Sequence, residues 1–201
     1  MAIPLTENIV ILQGATFVKI LRWDTGVPVF KAITNIAQVA PAAVEVASHG
    51  VPTGWPVAIV SAVGMTEINL AEPKMLHLYT QADSVDADNI ILPFIDASLY
   101  SAYESGGYVR YMAPVDLTGF TARMTIRKSK ASTVAEVTIT SAAGDITLDN
   151  ANKTITVVIS DAVTEALTMR TGVYDLELIA PTNEVFRLME GVVTINRETT
   201  R

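Results

Sequence analysis

The chain of 201 residues contains no cysteine, only two histidines, and charged side chains at just 17% of its positions. Without thiols, neither a disulfide framework nor a thiolate zinc site can form, so stability must come from packing or assembly, as suits a protein put together in a reducing cytosol. The histidines, at positions 49 and 77, are too few and too far apart to form a zinc motif. No apolar run approaches the ~20 residues that span a bilayer, and Met1-Ala2-Ile3-Pro4 has neither a basic start nor a following apolar core. The expectation is a soluble chain with no export signal and no membrane partner. Lys and Arg number 14 against 21 Asp and Glu, and a net charge of −7 opposes nucleic-acid binding, which needs a concentrated basic face. There is also no glycine-rich phosphate loop and no low-complexity tract.

What the chain does have is apolar residues at half of its positions, arranged in short alternating runs. The clearest begins at a turn built on Pro114, Asp116 and Gly119 and continues with Ala122, Met124 and Ile126 on one face and Thr121, Arg123, Thr125 and Arg127 on the other. That alternation specifies a half-buried antiparallel strand. Shorter strands are expected at Ile9–Leu12, at Ala15–Trp23 and over 135–140, 145–148 and 154–159. Gly172–Leu178 should bury Tyr174, Leu176 and Leu178, and Val185–Ile195 should form a last strand or bent strand pair. Asp24-Thr25-Gly26 reads as a turn. One helix is expected after Ser160, capped by Ser160 or Asp161, with Val163, Ala166 and Leu167 facing inward. The polar residues 197–201 should fray.

The segments PVDLTGFTARMTIRKS (114–129) and GVYDLELIAPTNEVFRLMEGVVTINRE (172–198) resemble the immunoglobulin-like β-sandwich of phage virion proteins related to the N-terminal domain of baseplate upper proteins. Gln13–Phe17 followed by Arg22-Trp23 is similar to the way that family begins, but the Pro-Val-Asp-Leu-Thr-Gly turn that normally follows closely is delayed to Pro114. The resemblance therefore implies a discontinuous sandwich, residues 1–30 and 110–201, with residues 31–109 inserted as a separate module. The insert holds two lysines against eight acidic residues, −6 of the net −7. Val44-Glu45-Val46 and Trp55–Val60, flanking the turn residues 49–54, are expected to pair as a hairpin. His49-Gly50 with Gly54-Trp55, then 63–69, 85–88 and 105–108, resemble a small β-barrel-like module found in many phage proteins and named after the first catalytic cysteine half-domain of ubiquitin-activating enzymes. With no cysteine present, no thioester chemistry follows from that name. The fold class expected is all-β: an immunoglobulin-like β-sandwich interrupted by a small β-barrel-like insert.

Candidate chemical groups each have a structural competitor. His49 follows Ser48 in a turn, but no elbow motif supplies a nucleophile, a base and a third orienting group. His77 lies in Met75–Tyr79, which reads as a strand, and is taken as a packed or edge residue. Asp83, Asp86 and Asp88 offer oxygen ligands for calcium without the spacing of an EF-hand, and a hairpin turn explains them. Asn152-Lys153-Thr154 is formally a glycosylation sequon placed in a tight turn. Arg123, Arg127, Lys128 and Lys130 form the basic cluster, read as a solvated strand face or a contact to an acidic neighbour. Trp23 and Trp55 are read as core residues rather than sugar platforms.

No catalytic, cofactor-binding or metal-binding residue is assigned, and no enzyme activity is expected. The resemblance implies a structural adaptor of a phage tail, neck or baseplate, located in the virion, that docks onto other virion proteins and repeats as a homo-oligomer around a symmetry axis. The other reading is a carbohydrate-binding module that touches the host surface. An exposed aromatic platform on the insert would favour the latter, and a wide apolar patch shared between copies the former.

Overall fold

A computed structural model describes residues 5–71 and 75–197, so residues 198–201 of the tail that should fray lie outside the described residues. The fold is all-β, with 51% of residues in strands and 6% in helices. It divides into two compact units, one made of the residues up to Trp23 and from Asp116 onward, the other of Asp24–Val115.

The first unit is a two-sheet sandwich. One sheet is built on β11 (Thr121–Arg127), β12 (Val137–Thr140), β15 (Thr171–Ile179) and β16 (Val185–Asn196), in the order β16-β15-β11-β12, all antiparallel. The short strands β1 (Leu5–Thr6) and β2 (Ile9–Leu12) add to β16 in parallel. The other sheet runs β13 (Ile146–Asp149), β14 (Thr154–Ile159), β3 (Phe17–Leu21). Strict alternation makes these strands one-sided: Ala122, Met124 and Ile126 meet Tyr174, Leu176 and Leu178 across β11 and β15, and all six are buried together with Ile155, Val157 and Ile159 of the facing sheet. Burying such side chains is worth roughly 1.5–3 kcal/mol each. At Leu176/Glu177 the β15–β16 register shifts, with Met189 opposite Leu176 but Arg187 opposite Glu177, which bends the last strand.

α1 (Asp161–Glu165) connects β14 of one sheet to β15 of the other and is capped by Ser160, whose hydroxyl accepts the Val163 N–H. The inward face differs from expectation. Thr164 and Leu167 are buried, whereas Val163 and Ala166 are exposed, because a helix this short is oriented by its anchors rather than by an apolar stripe. Those anchors are Thr164 Oγ1, which donates to the Ala15 carbonyl at 2.9 Å, and the Gln13 side-chain amide, which donates to the carbonyls of Glu165 and Leu167 at the helix end. Trp23 packs edge-on against Phe120 (5.9 Å between ring centroids) and tilted against Phe186 (5.2 Å), a satellite aromatic cluster of this unit.

The second unit is a single curled sheet in the order β4-β10-β7-β8-β9-β6-β5, a half-barrel. Its strands are β4 (Asp24–Ala32), β5 (Asn35–Ala37), β6 (Ala42–Glu45), β7 (Trp55–Val63), β8 (Thr80–Ser84), β9 (Asn89–Leu92) and β10 (Ser105–Pro114). Only Ile33 and Thr34 separate β4 at one edge from β5 at the other, so those two edges stand within roughly 11 Å at this end, the reach of three Cα steps. The curl encloses a core of Ile36, Val44, Trp55, Val57, Ile59, Met65, Ile90, Leu92, Val109 and Tyr111.

Two expectations for this segment are corrected. Val44–Val46 and Trp55–Val60 do not form a hairpin: β6 pairs with β5 and β9, β7 pairs with β8 and β10, and β8 and β9 lie between them. Asp24-Thr25-Gly26 begins β4 rather than ending a strand, with the Asp24 carboxylate accepting the Gly26 N–H at 2.8 Å and Asp24 pairing with Pro114 across an irregular register. Pairing along β4 and β10 is what places residues 24–30 and 110–115 in the second unit, away from the expected boundaries at 30/31 and 109/110.

Candidate functional site

His49 lies in the loop from β6 to β7 and is 1% exposed. Its Nδ1 accepts the Val51 N–H at 2.9 Å, which leaves the ring proton on Nε2, 2.8 Å from the Asp86 carbonyl oxygen that receives it. Its own carbonyl accepts the Tyr111 hydroxyl at 2.7 Å, and burial pushes that phenol above its ordinary pKa. Both imidazole nitrogens are therefore committed to backbone groups, and His49 works as a clamp between this loop and the β8–β9 turn. Ser48 joins the same clamp through its N–H, which donates to the Asp88 carboxylate at 2.7 Å.

Asp86 and Asp88 sit in the expected hairpin turn between β8 and β9. The Asp86 carboxylate accepts the Asp88 N–H at 2.8 Å and the Asn89 side-chain amide at 3.0 Å, and these donors hold it below the usual carboxylate range. Asp83 is one strand residue away from that turn. Among the described residues no three His, Asp or Glu side chains gather closely enough to hold a metal ion. His77 belongs to a 3-10 turn, Leu76–Leu78, not to a strand, and is exposed. In the sequon turn, Asn152 donates its side-chain amide to Asp149 at 2.7 Å.

The basic cluster read from the sequence is spread over the solvated face of the sandwich and largely neutralised there. Arg123 reaches Glu177 at 2.7 Å, Lys128 reaches Glu136 at 3.4 Å and Lys130 reaches Glu190 at 3.6 Å, while Arg127 donates to the Ser132 carbonyl. Arg187 joins Asp175, Glu177 and Glu190 at 3.3–3.7 Å. A half-open cavity of about 260 Å³, lined in part by Arg127, Lys130, Asp175, Arg187 and Glu190, lies on this ladder. Such exposed pairs contribute little each, and the face is a solvated charge network.

A different constellation stands on the outer face of the second unit. Alternation along β10 turns Val109 and Tyr111 inward and Tyr108 and Arg110 outward, and the register with β4 sets Phe30 opposite Arg110. Phe30 and Tyr108 meet edge to face, 6.2 Å apart at 88°, and are 51% and 45% exposed. The Arg110 guanidinium lies 5.7 Å from the Phe30 ring centroid and 6.0 Å from that of Tyr79. Burial raises the Tyr79 phenol pKa, against the opposing pull of the Arg110 charge. The Arg110 Nε is buried without a hydrogen-bond acceptor. Sequence reasoning missed this group. The alternation of Tyr108 and Arg110 was legible, but Phe30 and Tyr79 join them only through pairing across some eighty and thirty residues. Of the tryptophans read as core, Trp55 is core, its Nε1 donating to the Met112 carbonyl at 2.9 Å, whereas Trp23 is only half-buried, in the aromatic cluster of the first unit.

Compared with known proteins, the chain matches no protein-family model and no curated protein.

Proposed function

We propose that this chain is a structural adaptor of a bacteriophage particle, working in the tail, neck or baseplate by non-covalent docking to other virion proteins and repeating as a homo-oligomer about a symmetry axis. The observation that carries the docking reading is exposed apolar surface on two strands and on the segment after β9. Val10 and Leu12 on β2, Val18 and Ile20 on β3, and Phe94 and Leu99 after β9 are all exposed, Leu99 to 94%. Contiguous exposed apolar patches are where partners dock, and the paired positions on β2 and on β3 are the strand faces that such a partner would cover. The commitment of both His49 nitrogens to backbone groups supports a non-enzymatic role. Placement in a phage particle rests on the segments 114–129 and 172–198.

The test is mass spectrometry of purified particles together with light scattering of the isolated protein. Stoichiometric presence in the particle with a defined oligomer supports the reading, and a strict monomer absent from particles overturns it. The second reading, a carbohydrate-binding module, draws on the exposed rings of Phe30 and Tyr108. It requires saturable binding of a neutral glycan that Phe30→Ala abolishes.

A further inference from the structure

We infer that the Phe30–Arg110–Tyr79 face of the second unit receives a glutamate or aspartate side chain of a partner protein. The inference rests on the docking reading above and names the chemistry of one contact.

Arg110 is held differently from Arg123 and Arg187 of the sandwich. Arg123 and Arg187 each reach carboxylates within 2.7–3.7 Å, whereas Arg110 is fixed by two aromatic rings, its Nε enclosed without an acceptor, and no carboxylate of the described residues pairs with it. This occurs in the acidic half of the chain. Several acids there are engaged elsewhere: Glu67 accepts from Ser101, Asp86 from its own turn and Asp96 from Ser98. An arginine pre-stacked on aromatic rings has already lost much of its rotamer freedom, and a guanidinium presents a fork that fits a carboxylate. The exposed Phe30 and Tyr108 rings form an apolar rim, and covering it would exclude water and strengthen the charged pair, the anatomy of an interface hot spot.

The geometry favours a protein carboxylate over an acidic sugar. Phe30 and Tyr108 stand at 88° to each other, so they share no plane on which a pyranose could lie, and Arg110 already stacks on Phe30. A side-chain carboxylate needs only the guanidinium and the rim.

Nuclear magnetic resonance titration of the full chain tests this with three probes: a capped pentapeptide of alternating valine and glutamate, its glutamine counterpart, and glucuronate. The expected result is a saturable shift of the Arg110 Nε–H signal and of the Phe30 and Tyr108 ring signals with the glutamate peptide alone. Arg110→Gln should abolish it, and Arg110→Lys should weaken it about tenfold, since lysine offers a point charge instead of a fork. No saturable shift, an equal response to the glutamine peptide, or tighter binding of glucuronate overturns the inference. Particle mass spectrometry and light scattering are separate readouts, so the adaptor reading can stand or fall independently of this site.

Discussion

The Tyr174 hydroxyl donates a hydrogen bond to the Glu7 carbonyl oxygen at 2.6 Å, joining β15 to the link between β1 and β2 across 167 positions of sequence. Burial, with a further push from the Glu7 carboxylate, raises the Tyr174 phenol to about 12. The folded state therefore holds this proton more tightly than the unfolded chain does. The stabilisation is complete below the ordinary tyrosine value of about 10 and is lost as pH rises through about 12. Denaturant midpoints measured from pH 8 to 12 should fall over the upper part of that range. Tyr174→Phe should remove most of this alkaline slope and cost about 1 kcal/mol at neutral pH, the usual value of one hydrogen bond.

Gly191 lies beside the same carbonyl, where a Cβ would overlap the Glu7 oxygen. Gly191→Ala should displace β1 and β2 from β16 and destabilise the sandwich by about 2 kcal/mol or more, a value set by backbone that cannot move aside cheaply. Thermal unfolding followed by circular dichroism would read the loss. An unchanged midpoint would show that the crossing relaxes freely.

His49→Ala should be felt in the second unit. It leaves the Val51 N–H and the Asp86 carbonyl without their ring partners and opens a cavity under the Tyr111 hydroxyl bond, which together should cost about 3 kcal/mol. His49→Asn can still accept the Val51 N–H and should cost less. Hydrogen exchange at Val51 and over 86–89 would report the opening, while β11 and β15 should exchange as in the native protein.

The two units should be separable at the observed seam. Joining Trp23 to Asp116 by a short turn should leave a folded sandwich, and residues 24–115 alone should fold, because each unit has its own buried core. Well-dispersed amide spectra for both fragments are the expected outcome, and a collapsed spectrum for either one would count against separability.

Arg187→Ala should lower stability by no more than about 1 kcal/mol although it removes three ion pairs, since all are partly exposed. Raising the salt concentration should shrink the difference further, which denaturation at low and high ionic strength would show.

The sandwich was legible where alternation is strict and neighbours are settled by it. Ala122, Met124 and Ile126 declare one face of β11, and Tyr174, Leu176 and Leu178 the matching face of β15. Pairing itself was not legible. Two apolar runs around Gly50, Pro52 and Gly54 looked like a hairpin, yet the chain that follows β7 returns as β8 and β9 and takes the places between them. Asp24-Thr25-Gly26 has the composition of a turn and lies at an irregular strand start, so the seam fell at Trp23 instead of residue 30. The Arg110 site failed to show for the same reason as the false hairpin. Its members are neighbours only through register, which composition does not encode.

The parallel pairing of β2 with β16 has a mechanical consequence. A force pulling β2 toward its start and β16 toward its end acts along the two strands in opposite directions, so the bonds between Ile9–Leu12 and Val193–Asn196 are loaded together in shear instead of unzipping one at a time. The second unit lies outside that load path, because it enters and leaves the sandwich sequence between Trp23 and Asp116, and its first and last strands hold each other at Asp24 and Pro114. A chain connected in this way can bear tension through its sandwich while the inserted half-barrel keeps its shape.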